Sequence, residues 1–362
     1  MLSVEDLRGL PKVALHDHLD GGLRPETVIE HCTENGHDLP TTNPDELRRW
    51  FFEAADSGTL VRYLETFEHT VAAMQTAAQI RRVAHEFAVD QALDGVVYAE
   101  ARYAPEQHLG RGLTLREVVE AVRDGLDSGM AEAEATGHAI VVQQIVTSMR
   151  HGDPTLEIAR LAVEYRDQGV CGFDIAGAED GFPPARFREA FDFLRSECVF
   201  YTVHAGEAAG PESMHEAIAV CGANRIGHGV RIIEDITRDE RGKVKLGRLA
   251  SYVRDAQIPL EVAPSSNLQT GIADSIAEHP VALLWSLGFN VTINCDNRLQ
   301  SGTTMSREFG RLVSDLGWGI DDVERATTNA MAAAFLPHDQ RLALIHGIIK
   351  PSYTAFRAGW DS

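Results

Sequence analysis

The chain has 362 residues, of which 44% are hydrophobic, so it is long enough for one large domain with a sizeable core. Its formal net charge of −21 at pH 7 repels phosphate backbones and anionic lipids, so we expect neither a nucleic-acid nor a membrane partner. The five cysteines contain no C-x-x-C pair, which argues against a disulfide framework and against a cysteine zinc site.

The amino-terminal residues 1–6 lack the basic and apolar regions of a signal peptide. No apolar run approaches the ~20 residues that a membrane-spanning helix needs. We therefore expect a cytoplasmic protein, and the sequence leaves the oligomeric state open, a homo-oligomer included.

The first predicted strand lies in residues 13–20 (VALHDHLD), which begin apolar and are followed by two glycines. Side chains alternate along a strand, so His16 and His18 point to one side and can share a metal ion. Asp20 lies on the same side, where the strand meets its loop. An H-x-H pair alone is a weak signal, because most such pairs are surface or core histidines.

A mostly helical segment follows, over approximately residues 25–94, and Pro25 stands in its first turn. Leu60, Tyr63, Leu64 and Phe67 recur at helical spacing. They are either the core of a helical excursion or an apolar lid over a pocket. An insertion of this length after a first strand is unusual, and the sequence leaves both interpretations open.

Seven further β-rich runs then alternate with segments of helical pattern, and alternating strands and helices indicate a parallel sheet. Eight such units predict a closed (β/α)₈ barrel of the TIM type, with residues 1–362 as a single domain and helices over 321–362 packed against the barrel. The seven runs are residues 96–103, 140–146, 170–175, 200–204, 225–230, 259–263 and 290–296.

Metal-binding and acid–base residue types gather at the carboxyl ends of these strands, where such barrels carry their active sites. Three imidazoles and one carboxylate suit Zn²⁺ with one position left for water, so we expect one zinc ion per chain. Glu207 and His228 remain for proton transfer. The predicted metal ligands are His16, His18, His204 and Asp296.

Five motifs, in this order and spanning nearly the whole chain, resemble those of the adenosine deaminase family of the amidohydrolase superfamily. Residues 97–103 (VYAEARY) and 264–267 (PSSN) also resemble text of that family. The five motifs are residues 16–21 (HDHLDG), 172–177 (GFDIAG), 204–207 (HAGE), 227–229 (GHG) and 294–296 (NCD).

The resemblance implies a purine nucleoside substrate and a role for each matching residue. Glu207 would protonate purine N1, and His228 would orient and deprotonate the attacking water. The Gly177 backbone would face N3 and Asp20 the ribose, beside the metal ligand His18. The lid residues Tyr63, Leu64 and Phe67 fall where the family has an apolar cover over the substrate.

The implied reaction is the hydrolytic deamination of adenosine, and of 2′-deoxyadenosine, to inosine and ammonia in purine salvage. Protonation of N1 drains charge from a ring whose C6 is otherwise a poor electrophile. Glu207 has to carry a proton at neutral pH for this step, so its pKa should be raised by apolar surroundings.

One position departs from the family, which commonly has a second aspartate and then proline after the metal ligand. This chain has Asn297 and Arg298 there. The family residue contacts purine N7, so the change concerns substrate recognition. It leaves open a modified adenine nucleoside such as aminodeoxyfutalosine, or adenine itself, as the substrate.

Three other functions compete with this prediction. A binuclear amidohydrolase usually bridges two metals with a lysine or a glutamate on a middle strand, but the four lysines all lie elsewhere than the end of the fourth strand. A catalytically silent nucleoside-binding relative should have lost a metal ligand or an acid–base group, and all are present. A nucleic-acid base deaminase lacks support because the H-x-E and P-C-x-x-C signature is absent.

Overall fold

The computed structural model describes residues 2–360, so Met1, Asp361 and Ser362 of the predicted domain lie outside the described residues. Parallel strands form its centre at each of the eight predicted positions. In chain order the strands are β1 (Lys12–His18), β2 (Val96–Tyr103), β3 (Val141–Met149), β4 (Val170–Ala176), β5 (Thr202–Ala205), β6 (Arg225–His228), β7 (Ile236–Arg238), β8 (Val244–Leu246), β9 (Leu260–Val262) and β10 (Val291–Ile293).

The eight parallel strands pair as two four-stranded sheets, in the orders β1-β2-β3-β4 and β10-β9-β6-β5. Single parallel bridges join the sheets at both edges, between Asp17 and Asp296 and between Phe173 and Tyr201. The strands therefore follow one another around a ring, which is the arrangement of the predicted barrel.

Two details of the strands differ from the prediction. β7 and β8 form an antiparallel hairpin that the sequence analysis did not identify. β5 begins after Phe200, which is 52% exposed and stacks on Phe335 with the ring centroids 5.3 Å apart. Phe200 therefore belongs to an aromatic pair outside the strand, although its apolar character suggested a strand residue.

Helices connect the strands and complete the outer layer, and their N-caps follow ordinary chemistry. The longest, α7, has the predicted bounds and begins with a capping box between Thr114 and Glu117. The helices are α1 (Val4–Arg8), α2 (Pro25–Asn35), α3 (Pro44–Ala55), α4 (Leu60–Glu65), α5 (Phe67–Ala72), α6 (Ala77–Leu93), α7 (Leu115–Ala135), α8 (Glu157–Glu164), α9 (Arg188–Ser196), α10 (Pro211–His215), α11 (Arg248–Asp255), α12 (Pro264–Gln269), α13 (Val281–Ser286), α14 (Met305–Leu316), α15 (Ile320–Ala333), α16 (His338–Leu344) and α17 (Lys350–Trp360).

The segment between β1 and β2 consists of the five helices α2 to α6, in agreement with the helical prediction for residues 25–94. Its last helix, α6, packs closely on α7 at two glycines. A Cβ atom on Gly125 would lie 2.3 Å from the Arg81 carbonyl oxygen, and one on Gly129 would lie 2.5 Å from that of His85. The segment is thus anchored to the barrel at its end, while α4 and α5 extend over the carboxyl ends of the strands.

The carboxyl-terminal helices pack against the barrel as predicted, with α15 in contact with β1 and β10. None of the helices within residues 2–360 combines the length and the apolar character needed to cross a membrane.

Candidate active site

Four predicted metal ligands meet at the carboxyl ends of the strands. One ligand atom from each of His16, His18, His204 and Asp296 lies within 4.8 Å of all the others, and all four residues are buried. Asp296 Oδ1 is 3.2 Å from His16 Nε2 and 3.3 Å from His18 Nε2, which is itself 3.3 Å from His204 Nε2. Nitrogen atoms converging on one carboxylate oxygen in this way fit a single bound cation, and the donor set suits zinc.

Buried carboxylates fix two of these imidazoles from behind. Glu261 Oε2 is 3.1 Å from His16 Nδ1, and Asp174 Oδ2 is 2.9 Å from His204 Nδ1. A carboxylate at Nδ1 selects the tautomer with its proton there, so Nε2 keeps a lone pair for a metal.

Arg102 connects these two carboxylates in the barrel interior. Its Nη1 donates to Asp174 at 2.9 Å, and its Nη2 donates to Glu261 at 2.8 Å. Burial alone would raise the pKa of Glu261, but the guanidinium groups of Arg102 and Arg225 hold that pKa well below its usual range. The layer under the predicted metal ligands therefore consists of paired charges.

The backbone is strained at Asp296 and at His228, which both have a φ of 61°. This left-handed region is unfavourable for a residue with a Cβ atom, and such strain clusters at functional sites. Ser266 Oγ donates to Asp296 Oδ2 at 2.6 Å, so the other carboxylate oxygen faces the histidines. The Asn267 amide lies 3.1 Å from His228 Nδ1 and orients the His228 imidazole.

Glu207 and His228 stand side by side above the cluster, with Glu207 Oε2 3.6 Å from His228 Nε2. Burial, the Asp296 carboxylate and the Glu179 carboxylate raise the pKa of Glu207 well above its usual value. Burial lowers the pKa of His228 well below its usual value. The direction of each shift favours the protonated form of the Glu207 carboxyl and the neutral form of the His228 imidazole, which suits an acid beside a base.

A cavity opens directly over these groups, and eleven of the predicted site residues line it; the twelfth, His16, lies below in the cluster. Apolar side chains from α4 and α5 cover one side of it. No lysine or arginine contributes to the lining among the described residues. The predicted lining residues are His18, Asp20, Tyr63, Leu64, Phe67, Gly177, His204, Glu207, His228, Asp296 and Asn297.

The two residues that depart from the family pattern lie in different surroundings. Asn297 lines the cavity and packs against Gly21, where a Cβ atom would lie 2.0 Å from Asn297 Oδ1. Arg298 instead pairs with Asp17 at 3.0 Å and lies over the Phe87 ring. Only the first change therefore reaches the place where a substrate would bind.

Several residues that support the site received no role from the sequence. Three of them contact residues of the site from which they are distant in the sequence: Glu261 contacts His16, Arg102 contacts Glu261, and Glu179 accepts a hydrogen bond from the Glu207 backbone. Arg102, Asp174 and Asn267 lie within segments that resemble those of the family, and this resemblance is the one signal that could have identified them.

The sequence model of a family described as adenosine deaminase matches residues 11–351. Over 359 residues, the chain is 58% identical to adenosine deaminase 1 of Streptomyces coelicolor, covering 99% of this chain and 91% of that protein. It is 54% identical to adenosine deaminase of Mycobacterium avium over 357 residues, covering 97% and 98%. The crystal structure of an adenine deaminase from Arthrobacter aurescens matches with a TM-score of 0.78 and 25% identity, covering 94% of this chain and 98% of that one.

Proposed function

The chain belongs to the adenosine deaminase family, and from this premise we propose that its cavity binds adenosine or 2′-deoxyadenosine and hydrolyses it with the help of one zinc ion. The products are inosine, or 2′-deoxyinosine, and ammonia. One observation carries the proposal: a three-histidine, one-aspartate cluster lies under the same cavity that Glu207 and His228 line side by side.

His16, His18, His204 and Asp296 would hold the zinc ion, which when bound lowers the pKa of water towards 7 and so supplies hydroxide. Glu207 donates its proton to purine N1, which draws electron density from the ring and makes C6 electrophilic. His228 orients the attacking water and takes up its proton. The proton on His228 passes to the departing amino group, which leaves as ammonia, and the C6 hydroxyl returns a proton to Glu207 as the carbonyl of inosine forms.

The remaining lining residues recognise the nucleoside. The Gly177 backbone faces N3 and Asn297 faces N7, while Tyr63, Leu64 and Phe67 cover the bound base. Asp20 meets the ribose: its Oδ1 atom is buried without a hydrogen-bond partner in the described chain, and a sugar hydroxyl would supply one. Burial raises the pKa of Asp20 to about 7, so it accepts or donates near neutral pH.

The cavity favours a nucleoside over a nucleotide. Phosphate recognition normally uses arginine, lysine or a cluster of backbone N–H groups, and neither lysine nor arginine lines this cavity within the described residues. We therefore place the protein in purine salvage in the cytoplasm, acting on uncharged purine nucleosides.

Asn297 favours a second candidate, a modified adenine nucleoside such as aminodeoxyfutalosine, or adenine, because it alters the group expected at N7. A binuclear amidohydrolase has less support, because the end of β4 carries no lysine or glutamate that could bridge two metal ions. Asp174 lies there instead and is already paired with Arg102 and His204. Elemental analysis should find one zinc equivalent per chain; two equivalents would favour the binuclear reaction.

The decisive experiment is a screen for ammonia release from adenine, adenosine, 2′-deoxyadenosine, 5′-modified adenosines and AMP. We expect adenosine and 2′-deoxyadenosine to be the best substrates and AMP to be poor. His16→Ala, which removes a metal ligand, serves as the control and should be inactive. A zinc-loaded protein that releases no ammonia from adenosine would overturn the proposal.

A further inference from the structure

The Glu179 carboxylate, in the loop after β4, is saturated with hydrogen bonds from the loop after β5. Its side chain is buried, and no residue of its own loop donates these bonds. The donors are the backbone N–H groups of Gly206 at 2.7 Å, Glu207 at 3.0 Å, Ala208 at 2.7 Å and Ala209 at 2.9 Å, and Ser213 Oγ at 2.6 Å.

This arrangement fixes the conformation of residues 206–209. Four successive N–H groups that converge on one anion form a concave nest, and bonds to an ionised acceptor are about twice as strong as neutral ones. A carboxylate offers about four lone-pair sites, so five donors leave it no free capacity. Gly206 adopts a φ of 74° at the start of the turn, which a side chain would disfavour.

A second buried side chain, that of Arg150 directly after β3, links the loop after β4 to strand β5. Arg150 donates through Nε to the Phe182 carbonyl at 2.8 Å and through Nη1 to the His204 carbonyl at 2.7 Å. Arg150 therefore bonds the loop after β4 to the barrel, whereas Glu179 bonds that loop directly to the loop after β5.

The two loops carry the groups that face the two nitrogens of the substrate's six-membered ring. Under the proposed function, on which this inference rests, Gly177 faces N3 and Glu207 faces N1, and these two nitrogens flank C2. Glu179 is two residues from Gly177 and accepts a hydrogen bond from the Glu207 backbone itself. We propose that Glu179 is a positioning residue that holds Gly177 and Glu207 at the spacing of N3 and N1.

Glu179→Gln tests this role because it keeps the side-chain shape but presents an NH₂ group to backbone donors. We expect kcat for adenosine to fall by about 10²-fold, the size of effect that a displacement of ~1 Å produces. The KM value should change far less, and the zinc content should stay at one equivalent, because the ligands themselves are untouched.

The second readout is specific to the N3 contact. In the wild type, inosine should inhibit the deamination of adenosine about 5-fold more strongly than 3-deaza-inosine does. This ratio of inhibition constants corresponds to the free energy of one hydrogen bond. In Glu179→Gln this ratio should approach 1, since a displaced Gly177 no longer reaches N3. A ratio that stays at the wild-type value would overturn the proposal, even if turnover falls.

Asp94→Asn is the matched control. Asp94 is also a buried carboxylate that accepts a backbone N–H, from Ser306 at 2.9 Å, but it precedes β2 at the opposite end of the barrel. The Asp94→Asn substitution should lower thermal stability and leave kcat and the inhibition ratio unchanged. If Glu179→Gln behaves in the same way, Glu179 is only a structural anchor and the proposal is wrong.

If Glu179→Gln fails to fold, Glu179→Asp replaces it, because it keeps the charge and shortens the side chain by one methylene. We expect kcat to fall at least 10-fold and the inhibition ratio to shrink, and wild-type values for both would overturn the proposal. Failure of the proposed function is distinguishable, because the wild type itself would then not deaminate adenosine.

Discussion

The backbone N–H of Asp296 donates to the carbonyl oxygen of His16 at 2.9 Å, and both side chains belong to the candidate metal cluster. The bond joins the last parallel strand to the first. Closing the ring therefore brings two of the candidate metal ligands together, and a metal bound there should stabilise the whole ring.

Zinc should accordingly raise the melting temperature of the metal-free protein. A ligand that binds only the folded state at 1,000 times its dissociation constant adds about 4 kcal/mol to the free energy of unfolding. Differential scanning calorimetry of chelator-treated protein, with and without zinc, measures this. Mg²⁺ is the control, since it prefers oxygen ligands and should have little effect. Equal melting temperatures with and without zinc would contradict the prediction.

Arg102→Met should weaken zinc binding, although Arg102 touches no metal. The variant leaves Asp174 and Glu261 without their shared cation, so the imidazoles that they orient lose support. We expect zinc affinity to fall about 10- to 100-fold and the free energy of unfolding to fall by about 3–5 kcal/mol. Competition with a chromogenic chelator and urea denaturation measure the two effects.

Arg298→Met is the matched control for that variant. It removes another buried guanidinium, paired with Asp17 on the opposite side of β1 from the histidines. Stability should fall while zinc affinity changes little. Equal losses of zinc affinity in the two variants would show that Arg102 acts only through general stability.

Glu207→Gln should lower kcat by about 10²–10⁴-fold with zinc still bound, because an amide cannot act as the general acid. The same residue should produce an alkaline limb in the pH profile. Its folded pKa is raised by burial, so the protonated form persists to higher pH, and activity is lost as the pH rises through that pKa.

The stability of the wild type should follow the same titration. Protonated Glu207 is favourable in the fold, and this contribution is lost as pH rises from the unfolded pKa through the raised folded pKa. Glu207→Gln cannot ionise, so its melting temperature relative to the wild type should increase with pH. A constant difference between pH 5 and pH 9 would show that Glu207 does not titrate in this way.

Phe67→Ala tests whether α4 and α5 cover the substrate. Phe67 lines the cavity, so its loss should raise KM by about 10-fold, which corresponds to ~1.4 kcal/mol of lost contact. Val61→Ala is the control, since Val61 is on α4 but is 61% exposed. A loss of stability with KM unchanged would favour the alternative that Phe67 is part of a helical core.

Asn297 should donate to purine N7, which is an acceptor and carries no proton of its own. 7-Deaza-adenosine, which has a C–H group at that position, should lose about 10-fold in kcat/KM. Asn297→Asp places a second carboxylate beside Asp296, so its pKa should rise and nucleoside binding should become more pH-dependent. Equal turnover of the two substrates would show that Asn297 does not contact N7.

The fold and the centre of the site were predictable from the sequence for a physical reason. A buried parallel strand needs a continuous apolar run, and the active-site residues of a barrel lie where these runs end. The positions of His204 and Asp296 could therefore be predicted from the local sequence alone. The β7–β8 hairpin was missed because Thr237, Arg238 and Lys245 are exposed and lack a buried strand's pattern.

The supporting residues could not be located in the same way. Glu179 bonds to backbone N–H groups about thirty positions away, and any sequence offers such groups. Arg102 pairs with Glu261 across 159 positions, so a single sequence shows no spacing that joins them. Contacts of this kind depend on how the strands are arranged around the ring.

Neither lysine nor arginine lines the cavity among the described residues, which suits an uncharged substrate, and this has a consequence for the rate at which substrate diffuses to the site. Adenosine and inosine are uncharged, so the field of a protein with a net charge of −21 neither accelerates nor delays their diffusion to the site. The rate of encounter should therefore be nearly independent of ionic strength. The acidic surface can serve colloidal solubility in a crowded solution without slowing the capture of substrate.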